Sequence, residues 1–388
     1  MISVSVFSQE LISNIAHPRS INIISEIVVS GITESGFSLN WVTDFEGTTE
    51  AQYGKTPGFE LGCISNTELT EVHSLHISGK NRAEIFFVRP FSVKNDDTIT
   101  AETGIYITGS GSSGIIKVYF NRTVDESVTS NDKAIQLYHS IDDTLISYIS
   151  RAKESIDLAI YSFNNSGIVN ISDALNEACR RGVRIRVVYD GNNKNPGIKD
   201  LLPEIGRIAS PESNPSMYGI MHNKFVVFDA EHQNPDVPVV WTGSANFTSR
   251  QINTDANNVI IIQDQSLAKA FLLEFNEMFG STGIYPDPEK SRFGPKKTNN
   301  TPHTFLIGGK TVECYFSPTD STNKMILKII DSAEYSLYIA TMVLTRPDLC
   351  EAICNRKQSG DEVKIILNEI DRNIDPALQC SRLLLKNL

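Results

Sequence analysis

The chain has 388 residues, of which 40% are hydrophobic and 21% charged, with a formal net charge of -11. These values are ordinary for a globular protein and leave room for two to three domains. The acidic balance argues against a chain that coats nucleic acid, which needs clustered Lys and Arg, and no run of 18 apolar residues exists to span a membrane.

Residues 1–10 lack a basic stretch and a long apolar run, so they do not read as a signal peptide. Short alternating segments follow at 23–30, 36–43, 49–54, 71–77 and 84–90, separated by turn residues, a pattern that predicts an all-β sandwich. Within it His73 and His76 lie three apart and would face opposite sides of a strand, so they read as surface histidines rather than a metal pair. The Gly/Ser run at 109–114 reads as a flexible linker.

Beyond the linker the periodicity changes to a strand at 115–120, a helix at 145–152, a strand at 155–163, a helix at 172–179 and a strand at 183–189. Alternating strands and helices predict an α/β sandwich with a mostly parallel sheet, closed by a helix at 266–278. Arg180, Arg181, Arg184 and Arg186 make the one locally basic stretch. It reads as a helix C-terminus stopped by Gly182 and followed by a strand. Residues 115–280 carry 15 Lys and Arg against 20 Asp and Glu, so no basic domain hides behind the total. The six cysteines show no Cys-x2-Cys pairing, and Cys350 and Cys354 share a helix face as packing residues would.

Chemistry concentrates at 222–248. His222 and Lys224 lie two apart, so on extended backbone they share a face while Asn223 points away. The apolar run from Phe225 to Phe228 plants them on a buried strand, which Asp229 ends. A second strand, Val239 to Trp241, follows Pro238 and leads into Gly243, Ser244, Ala245 and Asn246, where small and hydrogen-bonding residues suit a phosphate. A neutral imidazole is a competent nucleophile near neutrality, and a lysine beside it offsets transition-state charge. A lone His-x-Lys would read as a satisfied histidine and a surface lysine; the second motif decides for chemistry.

The sequence His-x-Lys-x4-Asp followed by Gly-Ser-x-Asn is similar to the signature of the phospholipase D superfamily, matched at His222, Lys224, Asp229, Gly243, Ser244 and Asn246. The resemblance implies that His222 attacks phosphorus and forms a phosphohistidine, and that Lys224, Ser244 and Asn246 bind phosphate oxygens. Asp229 is counted with the catalytic set but is expected to support the site rather than touch substrate, with Gly243 and Asn257 as further supports. No cofactor and no metal are implied. Two departures stand out. The spacer between Asp229 and Gly243 is long and polar and reads as an extended hairpin loop. Asn257 occupies the place where many members carry a glutamate that orients the histidine; an amide can accept the imidazole N–H but lacks the charge.

Residues 311–370 repeat the plan of 115–191, at an offset of 180 to 181 over the two later strands, so a second histidine motif would fall near position 403. In two-domain members of the family one histidine is the nucleophile and the other the general acid. The chain therefore reads as a fragment of a two-motif enzyme, with a homodimer that completes the site as the alternative. The strand order around Trp41, Tyr53 and Gly54 resembles a fibronectin type III-like module of extracellular hydrolases, which implies export of the full-length protein.

The expected fold is thus α/β, with an all-β fibronectin-like sandwich at 20–108, a linker at 109–114 and a phospholipase D-like α/β/α domain at 115–282. A second linker at 283–310 leads to a partial second domain at 311–388 that lacks its motif. The expected function is metal-independent phosphodiester hydrolysis, on phospholipid head groups before nucleic acid. The alternatives are a nuclease of the same superfamily and a non-catalytic surface or binding protein.

Overall fold

The computed structural model describes residues 21–95, 97–128, 133–168, 170–214 and 219–367; the segment read for targeting, Cys380 and the end of the repeated segment lie outside these described residues. The chain divides into one unit of Met1–Gly111 with Thr304–Leu306, and another of Ser112–His303 with Ile307–Leu388.

The first unit contains β1 (Val28–Thr33), β2 (Gly36–Gly54), β3 (Gly62–Ser78), β4 (Ile85–Lys94), β5 (Asp97–Thr100) and β6 (Gly104–Ile107). All pairings among them are antiparallel. The segments 36–43 and 49–54, expected as two strands, are one: β2 runs through both and carries irregularities on either side of Gly47 that let it bend. Because β2 pairs with β1, β3 and β4, all six strands belong to a single hydrogen-bonded sheet. Phe37, Leu39, Trp41, Ile77 and Phe86 form its core. His73 is a correction. It is fully buried, stacked on Trp41 at 4.9 Å between centroids and held by Thr43 and Thr49 hydroxyls, each at 2.8 Å. Burial holds its pKa below the ordinary histidine value. His76 faces solvent as expected.

The second unit is built on an eight-stranded sheet. In chain order its elements begin with β7 (Ile116–Phe120), β8 (Ile135–Gln136), α1 (Ile141–Arg151), β9 (Ser155–Ile160), α2 (Ile171–Arg180), β10 (Arg184–Tyr189) and α3 (Pro196–Lys199). They continue with β11 (Gly206–Ala209), β12 (Lys224–Phe228), β13 (Val239–Gly243), α4 (Ser249–Asn253), β14 (Asn258–Ile262) and α5 (Gln265–Phe279). The strand order is β11-β10-β9-β12-β13-β14-β7-β8. The sheet is mixed rather than mostly parallel: β9, β10 and β11 are parallel and so are β7 and β8, but β12, β13 and β14 run antiparallel to both their neighbours. Strands β9, β10 and β11 follow one another through crossovers, whereas β12 and β13 are joined by a hairpin, which reverses direction, and β13 reaches β14 through α4.

Alternation along β12 separates two layers. Val226 and Phe228 join Leu145, Leu175 and Ile185 in a core that involves α1 and α2. Phe225 meets Phe271 of α5 at 5.1 Å on the other face. On that same face Asp157 pairs with Arg186 at 2.6 Å, both essentially buried, with the guanidinium over the rings of Phe275 and Phe279. Helix α5 starts where Asp264 accepts the Leu267 N–H at 2.8 Å and ends at Gly280, whose φ of +79° suits a residue without Cβ. The linker segment is not free: Ser112 Oγ donates to the Pro235 carbonyl at 2.6 Å, and Ser113 N–H donates to Asp236 at 2.7 Å.

After β15 (Thr304–Ile307), β16 spans Lys310–Glu313. Then α6 (Thr322–Asp331), β17 (Ser336–Thr341), α7 (Pro347–Gln358) and β18 (Glu362–Leu367) follow, with β17 and β18 parallel. This is the helix–strand–helix–strand order of α1-β9-α2-β10. Cys350 and Cys354 pack in its small core beside Ile330 and Ile353. Among the described residues no helix is long and apolar enough to cross a membrane.

Candidate functional site

The site lies at the end of the sheet where β9 finishes, β12 begins and β13 finishes. The β12/β13 register pairs Phe225 with Thr242, which sets Lys224 beside the start of the Gly243–Asn246 turn, and Thr242 Oγ1 donates to the Lys224 carbonyl at 3.1 Å. Tyr161 and Ser162, the two residues after β9, bind both motif segments. Tyr161 N–H donates to the Asn223 carbonyl at 2.9 Å, and Ser162 N–H donates to Oδ1 of Asn246 at 3.2 Å. The Phe247 N–H returns a bond to the Ser162 carbonyl at 3.1 Å.

His222 is exposed and meets Tyr161 edge-on at 4.5 Å between centroids. Lys224 is buried, lies 5.2 Å from the same ring, and its Nζ donates to the His222 carbonyl at 2.9 Å. Asn223 points the other way, toward Met278 Sδ of α5 at 3.5 Å. Partial burial and then the Lys224 charge push the His222 pKa below the ordinary value, against the opposing pull of Asp190. Burial pushes Lys224 down to about 8. An exposed, neutral imidazole beside a desolvated ammonium can attack an electrophile whose anionic oxygens the ammonium then neutralises.

The second motif is ordered by its own bonds. Gly243 has its Cα so close to β14 that a Cβ there would run into the Asn258 carbonyl oxygen, which explains why glycine stands at this position. Ser244 Oγ donates to Oδ1 of Asn257 at 2.8 Å and accepts the Asn258 N–H at 3.0 Å. Asn257 is therefore engaged with Ser244, and with Gln251 through its amide, rather than with His222 as expected.

Asp229 is the member of the sequence-derived catalytic set that the structure does not bring to the others. It closes the opposite end of β12, about 17 Å along the strand from Lys224. Its carboxylate accepts the N–H groups of Lys153, Glu154 and Ser155 at 2.7 to 3.2 Å, so it fastens the α1–β9 turn. The long spacer after it forms the loop of the β12/β13 hairpin.

Two residues at the site escaped the sequence reading. Asp190 is fully buried; its carboxylate accepts the Met221 N–H at 3.1 Å, immediately before His222, and the Asn192 and Asn193 N–H groups at 3.0 and 3.1 Å. Tyr161 holds His222 and Lys224 as described. Both follow the C-terminal ends of parallel strands, where open α/β sheets place ligands, and that position was the available signal. Among the described residues no three His, Cys, Asp or Glu side chains group as a metal site.

Residues 145–279 match the family model described as cardiolipin synthase, PLD-like domain. The chain is similar to a mitochondrial cardiolipin hydrolase of Drosophila melanogaster, 31% identical over 35% of this chain and 57% of that protein. It is also similar to a phospholipase D of Rickettsia conorii, 35% identical over 32% of this chain and 56% of that protein. It thus spans little more than half the length of these relatives. A solved structure titled as a phospholipase D family member, Nuc, from Salmonella typhimurium aligns at 24% identity and a TM-score of 0.30, covering 42% of this chain and 91% of that one. The segment that matches the family model, residues 145–279, spans both motifs and is similar to a PLD-like domain.

Proposed function

We propose that the chain hydrolyses phosphodiesters with His222 as the nucleophile. The imidazole nitrogen forms a bond to phosphorus, the phosphorus–oxygen bond to the leaving alcohol breaks, and the departing oxygen takes up a proton. Water then attacks the phosphohistidine and regenerates His222. Lys224, Asn246 and Ser244, whose hydroxyl turns its proton from Asn257 to the substrate, hold the phosphoryl oxygens, and charge stabilisation comes from Lys224 rather than from a metal. Asp229 and Asn257 serve as structural and orienting supports. The observation that carries this reading is the joint grip of Tyr161 and Ser162 on both motif segments, which fixes an exposed imidazole and a buried ammonium beside the Gly243–Asn246 turn.

The favoured substrate is a phospholipid head group, supported by the names of the relatives and by 15 cations against 20 anions in residues 115–280. A nucleic acid is the second reading. Vesicles containing cardiolipin or phosphatidylcholine, single-stranded DNA and a bis-aryl phosphodiester, each with and without EDTA, test both. Turnover of DNA alone would reverse the preference, and no turnover of any would refute the proposal.

Protonation of the leaving alkoxide requires a donor, and a second His-x-Lys motif is the proposed source. It would come either from residues joined to the repeated helix–strand–helix–strand segment or from a second copy of this chain. Rate against protein concentration separates them: first order for the former, second order for the latter. The fibronectin type III-like reading of the first unit, and export with it, belongs to the same proposal. Its support is the all-antiparallel pairing around buried Trp41.

A further inference from the structure

A cleft of about 270 Å³ opens beside Asp229, at the end of β12 remote from His222. Its apolar surface comes from Phe228, Val239 and Ile261 on the sheet, Ile115 ahead of β7, Tyr148 of α1 and Val237 of the hairpin loop. Lys117, Arg151 and Lys153 also line it, together with the carboxylates of Asp229 and Asp236.

These acids do not cancel the cations. Asp229 is occupied by three backbone N–H groups, and Asp236 accepts the N–H of Ser113 at 2.7 Å. Arg151 is steadied by its Nε bond to the Ser147 carbonyl at 2.9 Å and by stacking on Tyr148 at 4.3 Å. Among the described residues the ammonium groups of Lys117 and Lys153 have no ion-pair or hydrogen-bond partner. The cleft therefore combines an apolar wall, which water wets at a cost, with three cations against two carboxylates, two of the cations being ammonium groups in no direct ion pair.

We propose that this cleft is a second ligand site, which takes an anionic head group on an alkyl chain of medium length. The chain lies along Val239, Ile261 and Phe228, and the head group faces Lys117 and Lys153. Inorganic phosphate would leave the apolar wall uncovered, and an uncharged alcohol would leave the lysines unpaired. The volume lies just below the roughly 300 Å³ at which drug-sized pockets begin, so the chain is of medium length. Because Asp229 lies about 17 Å along β12 from Lys224, occupancy here does not compete with a phosphodiester at His222. The proposal stands independently of the reaction assigned to that histidine.

Calorimetric titration of the full 388-residue chain tests it. The probes are decanoate, decyl phosphate, 1-decanol and inorganic phosphate, each kept below any micellar concentration. Saturable one-site binding of decanoate or decyl phosphate is expected, at least about tenfold tighter than decanol or phosphate, with the negative heat-capacity change of apolar burial. The stronger of the two anions identifies the head group as carboxylate or phosphate. The double variant Lys117→Gln/Lys153→Gln should weaken binding at least about tenfold, and Val237→Asp should abolish it, both with unchanged circular dichroism, whereas His222→Ala should bind as the parent does. Equal affinity for decanol, full affinity in the double variant, or loss of binding in His222→Ala would overturn the assignment.

Discussion

Ser244 Oγ donates to Oδ1 of Asn257 at 2.8 Å, while the Asn257 amide donates to the Gln251 carbonyl at 2.7 Å. The amide is thereby fixed in one orientation, and Ser244 is held by a residue that takes no part in holding His222. Asn257→Leu frees the hydroxyl to rotate and leaves the Gln251 carbonyl with the Asn121 amide alone. The expected outcome is a kcat/KM about tenfold lower, the worth of about 1.4 kcal/mol of positioning, with the His222-dependent limb of the pH profile unmoved. Steady-state kinetics across pH checks this; a displaced acid limb would return Asn257 to the histidine.

His222→Ala is expected to lower turnover by at least roughly 10³-fold without loss of stability, because the side chain is exposed and acts as the attacking group. Rapid acid quench with a slow phosphodiester should leave acid-labile phosphate on the parent protein and none on the variant. Labelling of the variant would remove His222 as nucleophile.

The pH dependence follows from two depressed cationic acids. Deprotonated His222 is the nucleophile, so kcat/KM should rise with a midpoint below the ordinary histidine value. Protonated Lys224 is the electrostatic partner, so the same parameter should fall near pH 8. Lys224→Arg should carry that falling limb beyond about pH 10, since a guanidinium does not titrate in this range. Stability has its own sign. The Lys224 value is lower folded than unfolded, so the unfolded chain binds the extra proton above about 8, and the free protein should melt higher as pH rises from about 8 to about 9, beyond which the Cys314 thiol, which burial pushes up to about 12, acts in the opposite direction. Melting curves that are flat or falling there would contradict the burial assigned to Lys224.

Asp229→Ala should separate support from chemistry. Three backbone N–H groups lose their acceptor, and alanine must adopt the left-handed φ of +52° that aspartate holds. A loss on the order of 3 kcal/mol is expected in denaturant titrations, with kcat/KM per folded molecule within about threefold of the parent. A collapse of kcat in protein that remains folded would place Asp229 back among the reacting groups.

Much of the catalytic unit was legible because its signals are local. The two-residue spacing of His222 and Lys224 determined a shared face, and the contacts of both with Tyr161, with Asn223 turned to Met278, follow from that alternation. The apolar runs of β9, β10 and β12 and the glycine stop at Gly182 likewise needed no distant partner to be recognised. Local pattern also has a limit: β2 was divided into two strands because composition at 44–48 reads as a turn, yet pairing with β3 carries the strand through.

Tertiary structure alone decided which residues share a site. The sequence placed Asp229 with His222 because they lie in one motif, but a strand of five residues keeps them at opposite ends of the sheet. It placed Asn257 against the histidine, whereas the β13/β14 register brings it to Ser244. Asp190 and Tyr161 entered the site only because parallel strands β9 and β10 deliver their ends to the start of β12. His73 changed from surface to core for the same reason: its environment is set by Trp41, Thr43 and Thr49 across the sheet. Spacing along a chain fixes the face of an element, but strand order and register, which depend on contacts far apart in sequence, fix what that face meets.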